Sequence, residues 1–123
     1  MTTPPTTFDT EDQLRAAYAE PHEFVRLKCI PRLDDYCRRW VALSPFIVLA
    51  STDGDSHVDV SPRGGEPGFV RVADDQTLLL PDLPGNNRLD TLTNILASPG
   101  VGTIFFVPGF EETLRVNGTA EIV

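Results

Sequence analysis

The run FIVLASTDGDSHVDVS, residues 46–61, is where the periodicity of the chain changes. Phe46 to Ser51 is a short apolar stretch, Thr52 to Ser56 has the residues of a tight turn around Asp53-Gly54, and His57 to Ser61 alternates strictly. An apolar strand and an alternating strand joined by so short a turn pair antiparallel. From Pro45 onward the chain therefore reads as a β-meander. In HVDVS the expectation is that Val58 and Val60 face a core while His57 and Asp59 face outward.

Downstream the same signals repeat. After the loop PRGGEPG (62–68), in which Pro62 is expected to break the ladder, FVRVA (69–73), the turn DDQ (74–76) and TLLLP (77–81) read as a second hairpin. A helix is expected from about residue 87 to residue 97, with Leu89, Leu92, Ile95 and Leu96 inward and Ser98-Pro99-Gly100 as the stop. VGTIFFV (101–107) is a further strand, PGFEE (108–112) a turn, and TLRVNGTAEIV (113–123) a last strand or hairpin, with Leu114 and Val116 on one face and Thr113, Arg115 and Asn117 on the other. Five or six short strands with one helix between the fourth and fifth favour a small antiparallel barrel over a parallel sheet.

Upstream the pattern is helical. Residues 1–8 are rich in Thr and Pro and read as a disordered tail. A short helix runs from Asp9 to Ala19, capped at Asp9 or Thr10, with Leu14 and Tyr18 on one face; another spans about 21–27. A third, from Arg32 to Leu43, puts Leu33, Tyr36, Cys37, Trp40 and Val41 on one stripe. The expected organisation is a single mainly β (α+β) domain over 9–123, a helical front at 9–43 and a barrel at 44–123.

A chain of 123 residues suits one domain. Its net charge of −8 argues against non-specific binding to nucleic acid or to anionic membranes. No segment approaches the ~20 apolar residues that span a bilayer, and the N-terminus lacks the layout of a signal peptide, so a cytoplasmic location is expected. Cys29 and Cys37 belong to no metal or disulfide pattern and read as reduced thiols in or near the core.

Six of the ten cations, Arg15, Arg26, Lys28, Arg32, Arg38 and Arg39, fall in the first 43 residues. The others are Arg63, Arg71, Arg88 and Arg115, all arginine, the side chain whose planar fork suits phosphate and carboxylate. Arg88 is the odd one, because it falls in the expected first turn of a helix, where exposed N–H groups already carry positive charge. An anion between it and the helix would resolve the conflict, with Asn86 or Asn87 as the cap; pairing of Arg88 with Asp82 or Asp90 is the plainer alternative. The second place suited to a ligand is DVSPRGGEPG, where a strand delivers Ser61 to its end and Arg63 precedes two glycines that permit close backbone approach. Asp53, Asp55, His57 and Asp59 recur at every second position, yet lack the layout of a metal loop. They read as the hairpin turn with a polar outer face, or as the lip of a pocket. Ser44 and Ser61 have no nucleophile-elbow context, which argues against a hydrolytic triad.

In the order HVDVSPRGG, TLLLPDLPGNNRLDTLTNIL, SPGVGTIFFVPG and ETLRVNG, the chain resembles the pyridoxamine 5′-phosphate oxidase-like family of FMN-binding split barrels over about residues 44–120. The resemblance implies an antiparallel split β-barrel, here expected to be short of its final elements at the C-terminus. It also implies a homodimer with FMN in a groove at the subunit interface. The segment ending at Ser61, Pro62 and Arg63 would lie along the flavin, Pro81 and Asp82 would face the phosphate-ribityl chain, Asn87 and Arg88 would hold the phosphate, and Thr113 would stand near the ring. Where the oxidases carry two basic residues at the helix start, this chain has Asn87 before Arg88, and their residues for the substrate phosphate are not found. The implied activity is therefore FMN-dependent oxidation or reduction of another small molecule. The rivals are a non-catalytic protein of this fold that holds flavin, a deazaflavin or haem, and a truncated dimer scaffold with no ligand.

Overall fold

The computed structural model describes residues 9–17, 31–81 and 90–123. The tail at 1–8, the helix expected over 21–27, and Asp82, Asn87 and Arg88 lie outside the described residues. The chain divides into two units, 1–31 and 32–123. In the first, helix α1 spans Glu11–Ala17. Thr10 caps it: its hydroxyl accepts from the Gln13 N–H at 3.2 Å, while the Gln13 side chain reaches back to accept from the Asp9 N–H at 2.8 Å. That reciprocal pair resembles a capping box and satisfies two otherwise unpaired donors.

In the second unit the order is α2 (Asp35–Leu43), β1 (Phe46–Thr52), β2 (Val58–Gly64), β3 (Arg71–Asp74), β4 (Thr77–Leu79), α3 (Asp90–Ala97), β5 (Gly100–Phe106) and β6 (Thr113–Thr119). Four strands form one antiparallel sheet in the order β2-β1-β5-β6, and β3 and β4 form a separate hairpin. The helix stands between the fourth and fifth strands, as the periodicity predicts. Among the described residues the strands do not close into a barrel.

The core lies on one face of the large sheet, where Ile47 of β1 and Phe105 of β5 meet Trp40 and Val41 of α2, Val70 and Val107. Phe69, Val72, Leu78 and Leu80, from β3, β4 and their flanks, pack against this cluster, which is how the hairpin is held without strand pairing to the sheet. Helix α2 begins at Asp34, whose carboxylate accepts from the Cys37 N–H at 2.8 Å, and it is tied to the sheet where the Trp40 indole N–H donates to the Phe105 carbonyl. Ser44, fully buried at the end of α2, points its hydroxyl at the Phe46 and Phe106 carbonyls, 2.9 and 2.7 Å away. A buried polar group so paired costs little, and here it links the end of α2 to β1 and β5.

Four expectations are corrected. Tyr36 is 58% exposed and stacks on the outer side of Trp40 rather than joining the buried stripe of Leu33, Cys37, Trp40 and Val41. The second strand is turned over: Val58 and Val60 are each 67% exposed, and Asp59 is the half-buried residue between them. The register explains this, because Asp59, Ser61 and Arg63 stand opposite Ser51, Leu49 and Ile47, and directly paired residues share a face. Ile47 and Leu49 are anchored in the interior, so their partners go inward too. Pro62 does not end the ladder; β2 runs through it to Gly64, as an edge strand allows for a residue with no N–H to donate. Finally, α3 buries Thr91 and Asn94, with Leu92 and Ile95 half-buried and Leu96 78% exposed.

Candidate functional site

Because β2 is turned over, its alternate residues Asp59, Ser61 and Arg63 form a half-buried polar row on the inner side of the sheet edge. The Arg63 Nε–H donates to the Ser61 hydroxyl at 3.2 Å. One step earlier, Asp59 accepts from the Asn94 amide at 2.7 Å, and the same amide donates to the Ser51 hydroxyl at 3.0 Å. A guanidinium oriented by a neighbouring hydroxyl is suited to phosphate or carboxylate.

Gly64 and Gly65, expected to open the backbone to a ligand, are pressed against their own chain. A Cβ on Gly65 would stand 3.0 Å from the Phe69 Cβ, one on Gly64 would stand 3.3 Å from the Pro45 carbonyl oxygen, and the Gly65 N–H donates to that same carbonyl. Their small size serves the packing of the loop. Pro81 is half-buried and directly follows Leu80, which packs against the core.

Thr113 opens β6, exposed, and pairs with Phe106. The registers place it on the face that carries Phe46, Val60 and Phe106, whereas Ser61 and Arg63 occupy the other face. Two strands and the thickness of the sheet separate them within one protomer. Two open clefts, of about 410 Å³ between α2 and β3 and of about 450 Å³ over Ala50, Val58, Gly102 and Asn117, include neither Ser61 nor Arg63. The polar row lies along an edge strand of the sheet.

The acidic run from Asp53 serves the hairpin. The Asp53 carboxylate accepts from the Asp55 N–H at 2.7 Å and the His57 N–H at 3.3 Å, and its other oxygen lies 2.8 Å from the His57 ring. These hydrogen bonds, the one from Asp55 foremost, hold its carboxyl below the usual aspartate range. Gly54 and Ser56 adopt left-handed backbone in the same loop, at φ of 86° and 76°. No group of three His, Cys, Asp or Glu side chains is gathered for a metal among the described residues. Nor is any helix there long and apolar enough to cross a membrane.

Sequence reasoning missed Asn94 and Ser51. The signal was present in DTLTNIL (90–96), where Thr91 and Asn94 stand three apart on one helix face. The apolar residues beside them outweighed it.

In a comparison with known proteins, the family model described as pyridoxamine 5′-phosphate oxidase aligns with residues 33–123. No curated protein and no solved structure matches the chain.

Proposed function

Because the chain belongs to the pyridoxamine 5′-phosphate oxidase family, we propose that it is a homodimeric, FMN-binding flavoprotein that acts as an oxidoreductase on a small molecule. The observation that carries this reading is the hydrogen-bonded Ser61 and Arg63 pair, half-buried on the inner side of β2, in the segment the family resemblance assigns to the flavin. In this reading Ser61 and Arg63 bind along the cofactor, Pro81 and Asp82 face its ribityl chain, and Asn87 and Arg88 hold its phosphate. The flavin ring supplies the redox chemistry when bound, and the chain supplies binding, orientation and the local electric field. No acid or base is assigned, because hydride transfer with a flavin does not require one.

Two observations support the dimer. Thr113 lies on the wrong face to reach a ligand held by Ser61 and Arg63 of its own protomer, so it would serve the partner's cofactor. The face it shares carries exposed Phe46, Val58 and Val60, an apolar surface for a second copy to cover. A buried free thiol at Cys37 suits the reducing cytoplasm.

The test is a titration of the purified protein with FMN and with riboflavin, followed by flavin fluorescence. FMN is expected to bind at least about tenfold more tightly, the scale of a charge-assisted hydrogen bond to phosphate. Arg88→Ala is expected to abolish that preference and leave riboflavin binding nearly unchanged. Equal affinity for the two flavins in the wild type, or equal losses in the variant, would remove the phosphate role; absence of binding would overturn the proposal.

A further inference from the structure

The cleft of about 410 Å³ beside α2 lies between two segments that are tied together at both ends. At one end the Leu33 N–H donates to the Asp75 carbonyl at 2.8 Å, and at the other the Gly68 N–H donates to the Ser44 carbonyl at 3.2 Å. Gly68 comes so near that a Cβ there would stand 3.0 Å from the Ala42 carbonyl oxygen. Helix α2 and the segment through β3 therefore run antiparallel with fixed ends, and the cleft is the space left between them. Its floor is apolar, with Val41 and Val70 1% and 3% exposed and Val72 half-buried.

The rim is cationic. Arg38 precedes Val41 and Ala42 by three and four residues and so shares the helix face that borders β3. Arg71 alternates with Val70 and Val72, which turn inward, and stands exposed at the lip. Neither guanidinium makes an ion pair among the described residues. Asp74, the carboxylate that also lines the cleft, is committed to its own turn, where it accepts from the Gln76 N–H at 2.9 Å. That bond foremost, then one with Thr77 and lastly the charge of Arg38, holds its carboxyl below the usual aspartate range. In a chain of net charge −8, two guanidiniums over an apolar floor reverse the sign locally.

We propose that the cleft between α2 and β3 is a binding site for a small organic anion, a carboxylate carried on an apolar body, with Arg38 and Arg71 on the carboxylate and Val41, Val70 and Val72 under the body. The volume is in the range of small-molecule clefts, and a planar guanidinium matches a carboxylate in shape as well as charge. The site contains neither Ser61 nor Arg63 and is independent of the flavin reading.

The experiment titrates the full-length protein with benzoate and, at equal ionic strength, with benzamide, its uncharged counterpart, while backbone amide shifts are followed by NMR. Benzoate is expected to shift the amides of residues 41, 42 and 70–74 saturably, with a Kd of about 1–10 mM, the scale for a ligand of so few atoms. Benzamide should bind at least about fivefold more weakly, and Arg38→Gln and Arg71→Gln should each weaken benzoate by about the same factor, the scale of a charge pair at a wet rim. Arg39→Gln, on the same helix but outside the cleft, should leave benzoate within about twofold of wild type.

Absence of saturable benzoate shifts at these residues, or their appearance elsewhere, would overturn the site in the wild type before any variant is made. Equal affinity for benzoate and benzamide removes the anion from the proposal. A loss in Arg39→Gln as large as in Arg38→Gln would reduce the effect to diffuse surface charge and sink it as well.

Discussion

Gly68 and Gly109 hold nearly the same left-handed backbone, at φ of 82° and 89°, but differ in what a side chain there would meet. A Cβ on Gly68 would stand 3.0 Å from the Ala42 carbonyl oxygen at the end of α2; one on Gly109 would meet nothing within 4 Å. Gly68→Ala should therefore cost about 1–3 kcal/mol in urea unfolding, at the upper part of that range, and Gly109→Ala should stay near its lower end. Equal costs would mean that the loop relaxes freely away from α2. Asp34 makes a different kind of contribution. The hydrogen bond from the Cys37 N–H holds its carboxyl below the usual aspartate range. A carboxyl with a depressed folded value stabilises the fold fully above the ordinary value of about 3.9 and loses that contribution as pH falls through the folded value. Asp34→Ala should lower the melting temperature at neutral pH, and its deficit relative to wild type should close as the solution is acidified into that range. A deficit independent of pH would mean that the cap's charge is irrelevant. The Cys37 thiol is pushed the other way, chiefly by burial, which fits an inert core residue.

At the scale of elements, β2 and α3 separate what the residue pattern revealed from what it concealed. Both were placed in the chain by their punctuation, Asp53-Gly54 before one and Ser98-Pro99-Gly100 after the other. Which face of each turned inward was not legible. Apolar residues were expected inside, yet β2 exposes Val58 and Val60 and α3 exposes Leu96, while half-buried Asp59 and buried Asn94 satisfy each other. Alternation shows that a strand has two faces, and only pairing with β1 decides which one meets the core. The exposed valines then become a prediction about assembly. Val58→Asp combined with Val60→Asp should yield monomers in sedimentation with little change in the protomer's melting, because both side chains are largely in water in one protomer. A persistent dimer would place the interface elsewhere; a monomer that keeps tight FMN binding would contradict a site shared between subunits.

For the whole molecule, the order of strands and helices and the family were open to a reader of the sequence, because turns, periodicity and local motifs are written in contiguous residues. The candidate site was legible only in part. Ser61 and Arg63 were picked out and do stand together, since residues two apart on a strand must share a face. Thr113 was picked out as well, but the sheet places it on the opposite face, which ties its proposed role to a second protomer. Asn94 escaped notice because its partners Ser51 and Asp59 are 43 and 35 residues away, and no local pattern announces a bond of that span. By itself the sequence determined which segments become strands or helices and where the chain turns. Tertiary structure alone decided which faces are buried, how the small sheet packs without closing, and which polar groups meet. The physical reason is that backbone preference and periodicity act over a few neighbours, whereas the burial of a polar group is permitted only by a partner that the fold brings from elsewhere in the chain.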